Sequence, residues 1–230
     1  MSQLSGKVAL VTGASAGLGA ATARLFAERG ATVFGIARDA TKMAQVFADV
    51  PGGAFASVDI SSREACAAAV ADCVERFGRL DVLANIAGFH RMRHTASMTD
   101  DDWDVDLAVN LTAPFALCRA ALPHLLASGG NIVNVSSNQV LARSLNTTYK
   151  ARGVHVSAVA PGFTRTEFHQ RMKMDISAFP GFLWLGAPFV VKRSLLAVEA
   201  GRAVSIPSFR YKVLVAVAAL LPKRFHQAGN

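Results

Sequence analysis

The residues best suited to proton chemistry surround Tyr149, in the stretch NTTYKARGVHV. A free tyrosine has a pKa near 10, so one that exchanges protons at neutral pH usually has a cation one helical turn away. Gly153 stands at that position. On a helix Lys150 would point about 100° away, and Arg152 carries a charge but does not release a proton at neutral pH. Tyr149 is therefore a candidate acid without a suitably placed cation.

A second candidate group is the glycine-rich stretch after the first apolar run. Gly13, Gly17 and Gly19 stand between a β-branched segment and a helical one. Gly13 permits a tight turn, Gly17 lets the backbone approach a pyrophosphate, and Gly19 allows close packing of helix on strand. The N–H groups at the helix start would then face the anion. The pattern predicts a dinucleotide-binding turn, with a plain strand-to-helix turn as the alternative.

Two charged residues, Arg38 and Asp39, follow the next apolar run, VFGIA. An acidic residue at this position binds the ribose hydroxyls of NAD(H), whereas an arginine can bind the 2′-phosphate of NADP(H). Arg38 takes the first loop position, which favours NADP(H). NAD(H) stays open, since Asp39 could bind the ribose beside a solvated Arg38.

These groups need a scaffold in which strand ends and helix starts meet. Strand-like runs alternate with helix-like runs, as in a parallel sheet with helices on both faces. The predicted strands are Lys7–Thr12, Ala31–Ile36, Ala54–Asp59, Leu80–Ala84, Asn131–Val135, Val154–Ala160 and Ala203–Ile206. The predicted helices are Gly17–Glu28, Ala40–Asp49, Arg63–Phe77, one from an N-cap at Thr99 toward Leu126, Pro188–Ala200 and Tyr211–Leu221; loops or short helices fill Phe163–Gly186. We expect one domain, residues 1–230, with a Rossmann-type, doubly wound, mostly parallel sheet in three α/β/α layers.

Composition narrows the class of protein. The chain has 230 residues, of which 52% are hydrophobic and 17% charged, as in a globular domain with a large core. No uninterrupted apolar run reaches the length of a membrane span, and the N-terminus lacks the features of a signal peptide. Three cysteines without a CxxC pair indicate a reducing, cytoplasmic location. His90 and His94 have no third ligand in view, so no metal site is predicted.

The formal net charge is +8. A solvated basic surface explains it, and an anionic ligand or a membrane surface is the alternative. No segment has the aromatic and basic spacing of a nucleic-acid module, so no nucleic-acid partner is expected.

Taken in chain order, the motifs resemble those of the short-chain dehydrogenase/reductase family. The glycines follow the spacing Gly-x-x-x-Gly-x-Gly, and NIAG at residues 85–88 is close to the family's Asn-Asn-Ala-Gly. Asn110 in LAVNLTAPF, the serine of NIVNVSS and the loop Pro161–Thr166 follow in the family's order. The resemblance covers nearly the whole chain.

The resemblance implies hydride transfer between a nicotinamide ring and a carbonyl or alcohol carbon. It makes Tyr149 the proton donor or acceptor, Ser137 the residue that orients the oxygen, and Asn110 the holder of a proton-relaying water. It implies a cofactor site formed by Gly13, Ser15, Gly17, Leu18, Gly19, Arg38, Asp59, Ile60, Asn85, Ala87, Gly88, Pro161, Gly162, Thr164 and Thr166.

The same resemblance shows a gap after Tyr149. The family's lysine, which binds the nicotinamide ribose and lowers the tyrosine pKa, should stand where Gly153 is. The family also places a long helix there, whereas the predicted strand begins here at Val154. We expect the segment with the lysine and most of a dimer-packing helix to be absent. The crossover after the fifth strand is then shortened to Asn138–Arg152, just long enough to join parallel strands.

Apolar side chains are frequent in the segment that covers the substrate in the family. They are Met172, Met174, Phe179, Phe182, Leu183 and Trp184. A small apolar alcohol or ketone is the expected substrate, with ordinary core packing as the alternative.

Three functions are consistent with the sequence. The first is an NADP(H)-dependent oxidoreductase, whose turnover the missing lysine impairs. The second is a non-catalytic dinucleotide-binding protein. The third is a membrane-surface or partner-binding protein that uses the apolar, basic-flanked stretch 211–221. A homo-oligomer also stays open, weakened by the loss of the dimer-packing helix.

Overall fold

The computed structural model describes residues 4–89, 97–135, 150–167 and 180–213. In these ranges the strands are β1 (Val8–Thr12), β2 (Thr32–Ala37), β3 (Ala54–Ser57), β4 (Val82–Asn85), β5 (Asn131–Val135), β6 (His155–Val159), β7 (Thr164–Arg165), β8 (Leu185–Gly186) and β9 (Val204–Ser205). The α-helices are α1 (Gly17–Glu28), α2 (Ala40–Phe47), α3 (Arg63–Phe77), α4 (Asp100–Leu107), α5 (Ala113–Ser128) and α6 (Ala187–Glu199). A π-helical segment, Ala108–Thr112, joins α4 to α5, and 3-10 turns span Lys150–Arg152 and Gly181–Leu183.

Seven strands form one parallel sheet in the order β3-β2-β1-β4-β5-β6-β9. The chain first winds outward from β1 to β3 and then returns to place β4 on the other side of β1. The carboxyl ends of β1 and β4 therefore form the switch point at which doubly wound sheets bind ligands. The predicted Rossmann-type sheet is confirmed, including the direct pairing of β5 with β6 across the short connection 136–154.

Helices cover both faces of the sheet, which explains why β1 is buried along its whole length. One core cluster packs α3 and α5 on the sheet through residues such as Leu10, Phe34 and Leu117. The other packs α1, α2 and α6 on the opposite face, with Val33 and Leu195 among its members. The result is the predicted three-layer arrangement.

Asp81 links the amino ends of the central strands through hydrogen bonds. Its side chain is 2% exposed and accepts hydrogen bonds from the Val8 N–H (2.9 Å), Lys7 Nζ (3.0 Å) and Arg79 Nη2 (2.7 Å). Its backbone carbonyl accepts from the Asn131 N–H at 2.8 Å. Burial alone would raise the pKa of Asp81, but these donors outweigh it and hold the pKa below its ordinary value.

The structure differs from the sequence expectation in two segments. The predicted long helix after Thr99 contains the π-helical segment, and Phe163–Gly186, expected as loop or short helices, also contains the parallel pair β7 and β8. Strands of two residues carry no periodicity that a sequence pattern could show. The predicted helix Tyr211–Leu221 is helical over 209–213, and the rest of it lies outside the described residues.

One helix in the described ranges, Asp100–Ser128, is long and apolar enough by length and composition to cross a membrane. The sequence expectation, based on uninterrupted apolar runs, had not indicated it. Part of the helix is core, since it buries Ala113, Ala116, Leu117, Ala121 and Leu125. A core helix passes the same test, so this feature is weak support for a membrane span.

Candidate functional site

A cavity of about 1360 Å³ lies at the carboxyl ends of the sheet strands. It exceeds the roughly 300–1000 Å³ of common small-molecule sites, so a dinucleotide and a substrate can share it. It is lined by Gly13, Ser15, Gly17, Leu18, Gly19, Arg38, Asp59, Ile60, Ala87, Gly88, Pro161, Gly162, Thr164 and Thr166. The structure thus brings together every predicted cofactor residue except Asn85.

The turn between β1 and α1 has glycines at positions where a side chain would be strained or would clash. Gly17 has φ +57°, and a Cβ there would lie 3.2 Å from the Thr166 Cβ. A Cβ on Gly19 would lie 2.1 Å from the Gly13 carbonyl oxygen. The turn can therefore approach both the loop after β6 and the start of α1 closely.

The first turn of α1 has no side-chain cap, in contrast to the next three helices. Asp39, Ser62 and Thr99 each accept a backbone N–H at the start of α2, α3 and α4. At α1 the N-cap is Ala16, and the first turn holds no acidic residue. Its N–H groups and the positive end of the helix dipole can therefore bind an anion in the cavity.

Thr12 positions the cavity-lining residues after β4, a role that the sequence did not predict. Its Oγ1 accepts hydrogen bonds from the N–H groups of Ile86 and Ala87, both at 2.9 Å. The end of β1 is thereby tied to the residues after β4. The signal was present, because Thr12 directly precedes the glycine turn.

The rim near the ends of β2 and β3 is positively charged. Arg38 is exposed, and among the described residues its guanidinium forms no hydrogen bond or salt bridge. Asp39 Oδ1 instead caps α2, accepting from the Lys42 N–H at 2.9 Å. Lys42 Nζ lies 3.9 Å from Asp39 Oδ2 and 3.8 Å from Glu167 Oε2, and it lines the same cavity. Lys42 was not predicted, although it stands one turn into the helix that follows Arg38.

Asp59 is held as a carboxylate at the end of the neighbouring strand. Its Oδ1 accepts from the Ser61 N–H at 3.0 Å. This backbone hydrogen bond is the main reason that the pKa of Asp59 is lowered, and the nearby charge of Arg38 adds to the effect. Asp59 can therefore accept a hydrogen bond from a ligand at neutral pH.

Asn85 lies behind the cavity wall and does not line the cavity. It is 4% exposed, and its Nδ2 donates to Asn134 Oδ1 at 2.8 Å, in register with the pairing of β4 and β5. The structure places it as a link between these strands, whereas Ala87 and Gly88 reach the cavity.

Asn110 sits in the π-helical segment and holds the loop after β4. Its Oδ1 accepts from the Phe89 N–H at 3.0 Å, and its Nδ2 donates to the Phe89 carbonyl. A π-turn often marks a functional site, because it re-aims backbone groups within a helix. Both ends of the Asn110 carboxamide bind the Phe89 backbone, so Asn110 fixes the position of this cavity-lining residue.

Comparison with known proteins agrees with this geometry. A family model described as short chain dehydrogenase matches residues 7–141, more than half of the chain. A short-chain dehydrogenase/reductase of Pyricularia oryzae is 35% identical over 230 aligned residues, which take in 88% of this chain and 85% of the relative. The chain belongs to the short-chain dehydrogenase/reductase family.

Two further members of the family are similar over most of the chain. A 3-oxoacyl-[acyl-carrier-protein] reductase of Thermotoga maritima is 34% identical, covering 74% of this chain and 79% of the relative. A short-chain dehydrogenase of Burkholderia cenocepacia, solved in complex with NADP, superposes with a TM-score of 0.76 at 30% identity. That match covers 89% of this chain and 96% of the solved one.

Two of the three predicted catalytic residues of this family member, Ser137 and Tyr149, lie outside the described residues. Gly153, at the position where the family resemblance calls for the lysine, is described. It precedes β6 at the amino end of the sheet, and a Cβ on it would lie 3.8 Å from the Gly129 Cα. The cavity is lined by Ala160 and Pro161, which follow the opposite end of β6. Gly153 is thus at the wrong end of the strand to supply a catalytic side chain.

Proposed function

We propose that this short-chain dehydrogenase/reductase binds NADP(H) in the cavity and interconverts a small apolar ketone and the corresponding alcohol, with slow turnover. The observation that carries the cofactor assignment is the exposed Arg38 just after β2, which lines the cavity with Lys42 and the uncapped start of α1. When bound, the nicotinamide supplies or accepts the hydride, and the residues of this chain bind, orient and exchange the proton.

The α1 start and the glycine turn are suited to the pyrophosphate. Anions bind where backbone N–H groups and a helix dipole converge, and among the described residues no side chain caps the start of α1. The approach of Thr166 to Gly17 adds a hydroxyl on the opposite side of the same space. Thr164 and Thr166 are the side chains that we assign, with the backbone of Pro161 and Gly162, to the nicotinamide end.

Arg38 and Lys42 are suited to the 2′-phosphate. Arg38 can bind a phosphate with two parallel hydrogen bonds, and Lys42 adds a second positive charge on the same rim. Asp39, the residue that would bind the ribose hydroxyls of NAD(H), already accepts from the start of α2. NADP in the similar Burkholderia cenocepacia protein supports this assignment.

Apolar side chains lie near the end of the cavity that we assign to the substrate, which supports an apolar ligand. The rings of Phe163 and Trp184 pack at 5.4 Å between centroids, beside the cavity-lining loop. Phe182 is 60% exposed on the same turn. Met172, Met174 and Phe179, also expected in the substrate segment, lie outside the described residues. The name of the Thermotoga maritima relative, a 3-oxoacyl reductase, is consistent with an apolar ketone.

Slow turnover follows from the missing lysine. Among the described residues after β5, no lysine lines the cavity at the carboxyl end of β6. The turn Lys150–Arg152 and Gly153 precede that strand. The alignment with the Pyricularia oryzae relative spans 230 positions but takes in only 88% of this 230-residue chain. This difference between the aligned length and the part of the chain that it covers supports a missing segment.

A titration followed by a turnover assay tests the proposal. We expect fluorescence titration to show tighter binding of NADPH than of NADH, and we expect slow but measurable NADPH oxidation with a panel of apolar ketones. Binding without turnover would favour the non-catalytic dinucleotide-binding protein. Absence of binding for both nucleotides would contradict the proposal and leave a membrane-surface or partner-binding role.

A homo-oligomer is the protein partner that we propose. Trp103, Leu111 and Phe115 are each more than half exposed along the continuous helix from α4 to α5. Such a patch is unusual on a monomer and is suited to a second copy of the chain. Light scattering on the purified protein tests this, and a monomer at all concentrations would contradict it.

A further inference from the structure

The short sheet next to the cofactor cavity contains an inserted side chain. β7 and β8 run parallel with Thr164 opposite Leu185, and the Leu185 N–H donates to the Phe163 carbonyl at 2.9 Å. In a continuous parallel ladder, the Phe163 N–H would donate directly to the carbonyl of Leu183. Here the Tyr211 hydroxyl lies between the two groups. It accepts from the Phe163 N–H at 2.9 Å and donates to the Leu183 carbonyl at 2.9 Å.

The ring of Tyr211 also packs directly on the Pro-Gly loop. A Cβ on Gly162 would lie 2.6 Å from both Cε2 and Cζ of Tyr211. Gly162 has φ +72°, a conformation that other L-residues rarely adopt. The tyrosine is thus in contact with the backbone at Gly162 through its ring and at Phe163 through its hydroxyl, and it lines the cavity itself.

The residue before Tyr211 makes a second, outer contact with the same turn. Arg210 Nη1 donates to the Phe182 carbonyl at 2.9 Å, and both side chains are exposed. Arg210 and Tyr211 belong to the helical stretch 209–213 that follows β9. Since Arg210 reaches the turn from outside the cavity, it offers a control for a contact that is only structural.

We infer that Tyr211 is a positioning residue that fixes Gly162 and Phe163, and through them the nicotinamide end of the cofactor site. This inference rests on the proposed binding of NADP(H). The adenosine end is formed by other elements, namely the glycine turn and the ends of β2 and β3. Loss of the hydroxyl should therefore act on one half of the cofactor and leave the other half unchanged.

The test compares NADPH with adenosine 2′,5′-bisphosphate, which carries the 2′-phosphate but no nicotinamide. Tyr211→Phe removes both hydrogen bonds and keeps the ring over Gly162. We expect NADPH to bind ~3–10-fold more weakly, as for the loss of one or two hydrogen bonds, while adenosine 2′,5′-bisphosphate binds as before. Arg210→Ala should leave both affinities unchanged.

A second variant at the same position keeps the test decisive if Tyr211→Phe is poorly folded. Tyr211→Leu removes the same hydroxyl and also the ring over Gly162, so a folded Tyr211→Leu protein should show the same selective loss of NADPH affinity. Equal weakening of both ligands in the folded variants would overturn the inference, as would unchanged NADPH affinity in Tyr211→Phe. If the unmodified protein bound no NADPH, the proposed function would fail, and the inference with it.

Discussion

A Cβ placed on Gly153 would lie 3.8 Å from the Cα of Gly129, at the amino end of β5 and β6. The cavity opens at the other end of these strands, where Pro161 and Gly162 line it. The family resemblance calls for the catalytic lysine at the position of Gly153. The location of this glycine distinguishes a single substitution of the lysine from the loss of the whole segment that carries it. A single substitution does not repair the site, because the backbone at this position is at the amino end of β6, away from the cavity.

We predict that Gly153→Lys does not raise turnover. Gly153 has φ +81°, so the variant should also lose about 1 kcal/mol of stability from backbone strain. Gly153→Asn is the matched control, because asparagine tolerates this conformation better than lysine. NADPH oxidation with the same ketone panel is the measurement. A faster Gly153→Lys enzyme would show that this position does reach the active site.

Arg38→Ala should weaken the binding of NADPH far more than the binding of NADH, by roughly 1–3 kcal/mol for a lost charge-assisted contact. Lys42→Ala should also weaken NADPH binding more than NADH binding, but by less than Arg38→Ala, because Lys42 already interacts with Asp39 and Glu167. Arg24→Ala, which removes an exposed pair with Asp49, is the control. Fluorescence titration with both nucleotides gives the answer. Equal losses for NADPH and NADH would show that the rim does not bind the 2′-phosphate.

Asp81→Asn should cost about 2–3 kcal/mol of unfolding free energy at pH 7, since a buried carboxylate with four donor groups becomes neutral. The folded pKa of Asp81 lies below its ordinary value of 3.8, so the carboxylate stabilises the fold above that pH. The stabilisation is lost as the pH falls through the folded pKa. The difference between variant and unmodified protein should therefore shrink in urea unfolding below pH 3.8.

The control for this measurement is Asp72→Asn, which breaks an exposed i,i+4 pair with Arg76. Such pairs contribute about 0.3–0.5 kcal/mol. A cost for Asp81→Asn that stays the same at low pH would mean that its charge is not the source of the stability.

Deletion of residues 214–230 should reduce binding to anionic vesicles. Phe209 is 78% and Val213 is 44% exposed, next to Arg210 and Lys212, which suits a membrane surface or a protein partner. This deletion spares Tyr211, so effects on the cofactor site stay separate. Cosedimentation with vesicles and light scattering are the measurements. Unchanged vesicle binding and oligomeric state would argue against a contact through this end of the chain.

Much of the fold was predictable from local patterns. The β-branched run at Val8–Thr12, the glycine turn and the Thr99 cap with Asp102 each have a strong sequence signature, and the structure confirms all three. Predicted cofactor residues at strand ends also converged, since parallel strands bring their carboxyl ends to one edge.

The missed features depend on contacts that no local pattern contains. Tyr211 reaches Phe163 from a distant part of the chain, and Lys42 reaches Glu167 only once the sheet has formed. The β7 and β8 pair is two residues long on each side, too short for a periodic signal. Asn85, which its motif predicts as a cofactor residue, also forms a hydrogen bond to Asn134 on the next strand, a pairing that the motif does not show.

The most direct test of the central claim is to rebuild the missing segment. A helix carrying Tyr-x-x-x-Lys would be inserted between Thr148 and Ala151, and NADPH oxidation would be compared with that of the unmodified chain on one ketone panel. A cation near the phenolate lowers the tyrosine pKa by about two units, so we expect a rate increase of at least ~100-fold with little change in NADPH affinity. Equal rates for the repaired and unmodified proteins would contradict the claim that the absent lysine limits turnover.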